Sequence, residues 1–142
     1  MTIADLHPEQ LAAFLDPYKG TDRLKAVKLD VKDLPAVTAL MRGHVSVMSA
    51  IPYYFNAPMA GCAVEAGCHF ADLGGNTEIV FEQKKLHAAA AAKGLSVIPD
   101  CGLAPGMVNI LAAEGIRRLD KAEKVKIYVG GLPRHPEPPL NY

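Results

Sequence analysis

The sequence predicts an α/β fold organised around a doubly wound parallel sheet, and three observations predict it. Short β-branched apolar runs alternate along the 142 residues with longer stretches of helical spacing. Several of these runs are apolar throughout, as strands covered on both faces are, so helices are expected on both sides of the sheet. Four of the five runs end on or beside an acid, namely Asp5, Asp30, Asp72 and Asp100.

The chain opens on Thr2-Ile3-Ala4-Asp5, the end of a buried strand, and Pro8 then suits the first turn of a short helix over residues 9–15. Residues 24–29 (LKAVKL) form the next strand, ending at Asp30. Asp33 caps a helix through Met41, which Gly43 stops. Residues 45–51 (VSVMSAI) form a strand, and a helix starts at Asn56 or Pro58 and ends at Gly67. Residues 69–73 (HFADL) form another strand, closed by Gly74-Gly75. Asn76 or Thr77 opens one helix that continues through the alanines at 88–92, the strongest helix formers, to Gly94. A strand at 95–98 and a helix at 105–118 follow. Residues 124–129 (KVKIYV) alternate with period two, as a strand with one exposed face does, and the proline-rich tail suits an extended segment.

Composition narrows the function classes. Half the residues are hydrophobic and 21% are charged, with 15 basic and 15 acidic side chains, so no surface for nucleic acid or an anionic membrane is expected. A small uncharged or zwitterionic partner fits this balance. Cys62, Cys68 and Cys101 are an odd set with no C-x2-C pair; reduced thiols in a cytoplasmic protein are expected, with no metal site and no membrane span.

In an open parallel sheet ligands gather at the carboxyl ends of the strands, which directs attention to the acids and the loops after them. Asp5 is placed to accept hydrogen bonds from a ribose diol, and its charge would repel a 2′-phosphate; a turn or helix cap uses an aspartate equally well. Asp30 is placed to approach an adenine amino group, or to cap its own turn. Ala50, Ile51 and Pro52 end their strand with small and rigid residues that let a flat ring come close. Tyr53 or Tyr54 has a hydroxyl for the same crevice. Around Asp100 the segment DCGLAPGM places Gly102 and Gly106 about Leu103, Ala104 and Pro105, where glycine permits positive φ or close contact with a ligand.

Four stretches together, AIPYYFN at 50–56, HFADLGGN at 69–76, IPDCGLAPGMVNIL at 98–111 and VGGLPRHPEPPLNY at 129–142, resemble the saccharopine dehydrogenase-like oxidoreductases, and within them the L-lysine 6-dehydrogenase branch. The resemblance implies an NAD(P)-binding Rossmann domain over residues 1–122, without its first strand and glycine-rich turn, and the beginning of a substrate domain over 123–142. No G-x-G-x-x-G occurs in the sequence. In the family's strand order the first strand lies between those at 2–5 and 45–51, so a gap or a rearranged pairing is expected there.

What the family implies for function is oxidation of L-lysine at its ε-carbon with NAD, or NADP in its place. The alternatives are a saccharopine-type dehydrogenase that reduces an imine, and a non-catalytic remnant that self-associates. Asp72, Asp100 and Tyr53 are the candidate catalytic residues. Asp5, Asp30, Ala50, Ile51, Pro52, Asn56, Gly74, Gly75, Leu103, Ala104, Pro105 and Gly106 are the candidate cofactor contacts. The expected partners are an amino-acid substrate and further copies of the chain.

Overall fold

Five short strands form where the apolar runs predict them, but they assemble into two parallel sheets rather than one. A computed structural model describes residues 1–21, 23–131 and 133–139. Strand β1 (Thr2–Asp5) leads through a 3-10 turn into α1 (Ala12–Leu15), and then into β2 (Lys25–Lys28). Helix α2 (Leu34–Met41), β3 (Ser46–Ser49), α3 (Asn56–Ala66) and β4 (His69–Asp72) follow. The chain continues through α4 (Thr77–Lys84), α5 (His87–Ala92), β5 (Val97–Ile98) and α6 (Met107–Arg117). β1 pairs only with β2, while the second sheet has the order β3-β4-β5.

The core lies between the three-stranded sheet and the helices on one of its faces. Val37 and Met41 of α2, Met59, Ala60 and Ala63 of α3, and Phe70 of β4 form one buried cluster, against which Val47 and Val97 pack. Strand alternation sends the intervening side chains the other way: Met48 is 61% exposed and Ile98 54%. Helices on both faces were expected, and this second face is bare among the described residues. Helix α6 buries none of its own residues.

Local signals explain the helix boundaries. The Asp33 carboxylate accepts the Ala36 N–H at 3.0 Å, and Asn76 accepts from Glu78 and Ile79 at 2.8 and 3.2 Å, which satisfies amides that the first helical turn leaves unpaired. The single helix expected from 76 through the alanines is instead divided at Lys85-Leu86, where the turn tightens to i→i+3 bonds. The division places Gln83 inside beside β4 and lets Leu86 pack on the core.

The strand expected at 124–129 is not formed. Those residues carry neither helix nor strand, because a strand needs a neighbouring ladder and no described strand lies beside them. Leu132 and residues 140–142 of the tail lie outside the described residues.

Cys68 joins the end of α2 to the start of β3: its Sγ lies 2.9 Å from the carbonyl oxygens of both Met41 and His44, which share its one S–H. Burial pushes this thiol up, against the smaller lowering effect of the His44 bond. Folding therefore favours the neutral form, a contribution that is complete below the ordinary thiol value of 9.0 and declines as pH rises above it.

Three outcomes check this packing. Phe70→Ala should lower unfolding free energy by about 3–5 kcal/mol, read from urea curves, since it empties the centre of the cluster. Among the cysteines, exposed Cys101 should react at once with a disulfide reagent, while Cys62 and Cys68 should react only on unfolding. The fall in stability above pH 9.0 should be shallower in Cys68→Ala.

Candidate functional site

The carboxyl ends of β3, β4 and β5 meet at a rim, and a buried carboxylate fastens it. Asp72, the last residue of β4, is fully buried. Its Oδ1 accepts the N–H of Gly74 at 2.7 Å and of Asp100 at 3.2 Å, and its Oδ2 accepts Gln83 Nε2 from α4 at 2.6 Å. Its backbone carbonyl takes the Cys101 N–H at 2.7 Å. Removing a carboxylate from water is costly unless donors replace the water, and here two backbone amides and the Gln83 side chain do so. With both oxygens engaged and no solvent contact, Asp72 positions two loops rather than reaching the crevice.

Around this fastening the loops approach too closely for side chains. Gly74 has φ +76°, and a Cβ there would collide with the Asp100 carboxylate and stand 3.0 Å from its Cα. Gly75, at φ +128°, lies under Tyr53, whose Cβ would be 3.0 Å from an added methyl. A side chain on Gly102 would strike the Leu73 carbonyl, and one on Gly106 would lie 2.9 Å from the Asp100 carbonyl. These glycines are explained by loop against loop.

Tyr53 and Asp100 are the members of the rim that face outward. Tyr53 is 42% exposed and packs edge-on against Tyr54, with centroids 5.6 Å apart. Asp100 is half-buried at φ +61°, a left-handed conformation that aspartate tolerates better than most residues. Leu103, Ala104 and Pro105 stand exposed on the adjoining loop, and Gly106 opens α6 with its N–H bonded to Asn109 Oδ1 at 3.1 Å.

The other candidates are dispersed. Asn56 is buried and accepts from Ser49 Oγ at 2.9 Å, which ties the start of α3 to the end of β3 on the inner side of the rim. Pro52 is exposed just before Tyr53. Asp5, Ala50 and Ile51 line a separate cavity of about 690 Å³ between β1 and β3. The Asp5 carboxylate accepts the His7 N–H at 2.7 Å, and Asp5 stands in register with Lys28 on β2. Asp30 accepts the Lys32 N–H at 2.9 Å in its own turn. Among the described residues no group of three potential metal ligands occurs, and no helix is long and apolar enough to cross a membrane.

For a nicotinamide dinucleotide the fit is partial. Asp5, expected at a sugar, lines the cavity together with Ala50 and Ile51, expected at a ring, while Pro52 and Tyr53 lie on the loop just after them. The amides of Gly74 and Gly106, which a pyrophosphate would need, are already bonded to Asp72 and Asn109. These two amides are therefore not free for the phosphates.

Parallel strands with acids at their carboxyl ends, glycine-dense loops and helices behind them define a Rossmann-type α/β domain. Comparison with known proteins gives the family. Residues 1–98 match the saccharopine dehydrogenase NADP binding domain, and the chain belongs to that family. It is 28% identical over 137 residues to the saccharopine dehydrogenase [NADP(+), L-glutamate-forming] of Schizosaccharomyces pombe, covering 94% of this chain and 29% of the enzyme. The enzyme of the same name from Pyricularia oryzae is 31% identical over 129 residues, which are 87% of this chain and 28% of that one. The solved apo saccharopine dehydrogenase (L-Glu forming) of Saccharomyces cerevisiae shares the fold, with a TM-score of 0.67 at 24% identity over 82% of this chain and 24% of that one. The chain thus spans less than a third of these relatives.

Sequence reasoning identified Asp72 as an active acid and missed Gln83, its partner eleven residues on. The one signal for Gln83 was a polar residue within the helix that packs against the strand bearing that acid. Asp72→Ala should cost about 1–3 kcal/mol for each donor left unpaired, up to three of them, and speed amide exchange at Gly74 and Asp100. Gln83→Ala should reproduce a smaller part of the stability loss without speeding those two amides as much.

Proposed function

We propose that this chain forms part of the cofactor-binding domain of an NADP-dependent, L-glutamate-forming saccharopine dehydrogenase. The observation that carries the reading is the family match over residues 1–98, together with the names of the two fungal relatives. The rim supports it with an exposed phenol, Tyr53, and a half-buried acid, Asp100, on either side of Gly74-Gly75. A proton released or taken up at an amine or imine nitrogen would have these two groups within the same crevice.

The cofactor assignment differs from the NAD that Asp5 alone favours. A bare carboxylate at the end of β1 would disfavour a 2′-phosphate, but this one already accepts the His7 amide, and Lys28 stands in register with it on β2. The relatives named above carry NADP(+) in their names, which favours the same choice. Oxidation of L-lysine at the ε-carbon is the competing substrate reading, and both belong to amino-acid oxidoreductase chemistry.

Residues 1–142 alone should form no reduced nicotinamide with saccharopine or L-lysine, measured by absorbance, because the Gly74 and Gly106 amides are bonded within the chain rather than free for a pyrophosphate. Exchanged into the S. pombe enzyme for its matching segment, the chain should support saccharopine oxidation with NADP. In that hybrid Asp5→Ser should move preference further from NAD. Turnover of lysine but not saccharopine would sink the substrate assignment, and a preference for NAD would sink the cofactor assignment.

A further inference from the structure

The fastening at Asp72 depends on one residue from outside the two loops, Gln83. It lies in the last turn of α4 and is 2% exposed, whereas the next inward-facing residues, Leu86 and Ala90, are apolar. Its Nε2 donates to Asp72 Oδ2 at 2.6 Å, and its Oε1, equally buried, has no partner among the described residues. An unpaired acceptor in the core is costly, so what this carboxamide contributes beyond packing lies at its donor end.

That donor end decides how Asp72 is turned. The Cβ–Cγ torsion of an aspartate is broad and has little preference of its own. Pinning Oδ2 to α4 leaves Oδ1 facing the loops, where it accepts from Gly74 at 2.7 Å and from Asp100 at 3.2 Å. Asp100 needs that hold. At φ +61° it is, among the described residues, the one non-glycine with positive φ, and its carboxylate lies against Gly74, where a side chain would strike it.

We propose that Gln83 is a positioning residue for the rim: through Asp72 it fixes the backbone, and with it the carboxylate, of Asp100, so turnover depends on a carboxamide buried behind the crevice. The role in turnover rests on the reading of Asp100 as a proton-handling group; the grip of Gln83 on the two loop amides does not. A glutamate in its place makes the dependence visible. Protonated, its O–H replaces the N–H donor; ionised, it sets a second negative charge against Oδ2, and two carboxylates in contact share one proton rather than both ionise. The other titratable groups near Gln83 are Lys84 and His87, which line the same cavity of about 570 Å³, and Asp100 beyond Asp72. Glu65 of α3 and Glu78 and Glu82 of α4 are exposed.

The test reads residues 1–142 by NMR and the S. pombe hybrid by kinetics, each variant against the unsubstituted protein at the same pH. Between about pH 5 and about 9, the Gly74 and Asp100 amide protons of Gln83→Glu should match the wild type at the acid end and move upfield together as pH rises. In Gln83→Met, close to glutamine in size, both should stand displaced throughout. In the hybrid, Gln83→Met should lower kcat for saccharopine by roughly ten- to a hundredfold with KM for NADP unchanged. The loss in Gln83→Glu should appear only as pH rises. Should Gln83→Met not fold, Gln83→Glu titrated from its acid form carries the same readout. Amides left in place by methionine and disturbed by glutamate at every pH would overturn the proposal, because a side chain that merely fills space behaves so. Turnover unaffected by Gln83→Met yet abolished by Asp100→Asn would overturn the positioning role alone. Turnover unaffected by either would overturn the reading of Asp100 on which that role rests.

Discussion

The buried carboxylate of Asp72 is the interaction on which the carboxyl-end rim depends. A loop that turns sharply after a strand leaves amides without partners, and two such loops, after β4 and β5, direct theirs to one side chain. Because the acid lies in the core, its own solvation must come from those loops and from Gln83, so acid and loops require one another. The close approach of Gly74 to Asp100 and of Gly102 to Leu73 follows from drawing both loops to the same point. Tyr53 and Asp100 owe their places on the rim to an acid that itself touches no solvent.

The two-sheet arrangement divides the residues expected to meet a nucleotide. Asp5 belongs to the small sheet, and Tyr53, Gly75 and Asp100 to the loops of the larger one. The cavity between the sheets has Asp5 on one side and Ala50 and Ile51 on the other, so their spacing is set by whatever fixes β1 against β3. A ligand that needed both would experience the cleft as part of its own binding geometry.

Much of the fold was legible because its signals are local. Apolar runs gave all five strands to within a few residues, Asp33 and Asn76 announced their helices, and Gly67 closed α3. The division at Lys85-Leu86 was not legible, since alanine propensity favours continuity and the tightened turn answers to Gln83 and Leu86 packing inward. Residues 124–129 have the correct period for a strand, but period says nothing about whether a neighbour exists. For the site, position along the strands identified Asp5, Asp72 and Asp100. Which of them faces solvent depended on side chains distant in sequence: Gln83 for Asp72 and, in the same way, Ser49 for Asn56.

The His44 to Thr2 contact is, among the described residues, the one hydrogen bond that joins residues 1–29 to the rest of the fold, aided by the packing of Leu29 on the core. Such a slender connection makes the molecule two units in cooperativity. The β1–β2 unit has little apolar burial of its own and will melt at a lower free energy than the β3–β5 unit, which holds the core. Heat or denaturant then produces two overlapping transitions, and a midpoint quoted for the whole chain would describe neither.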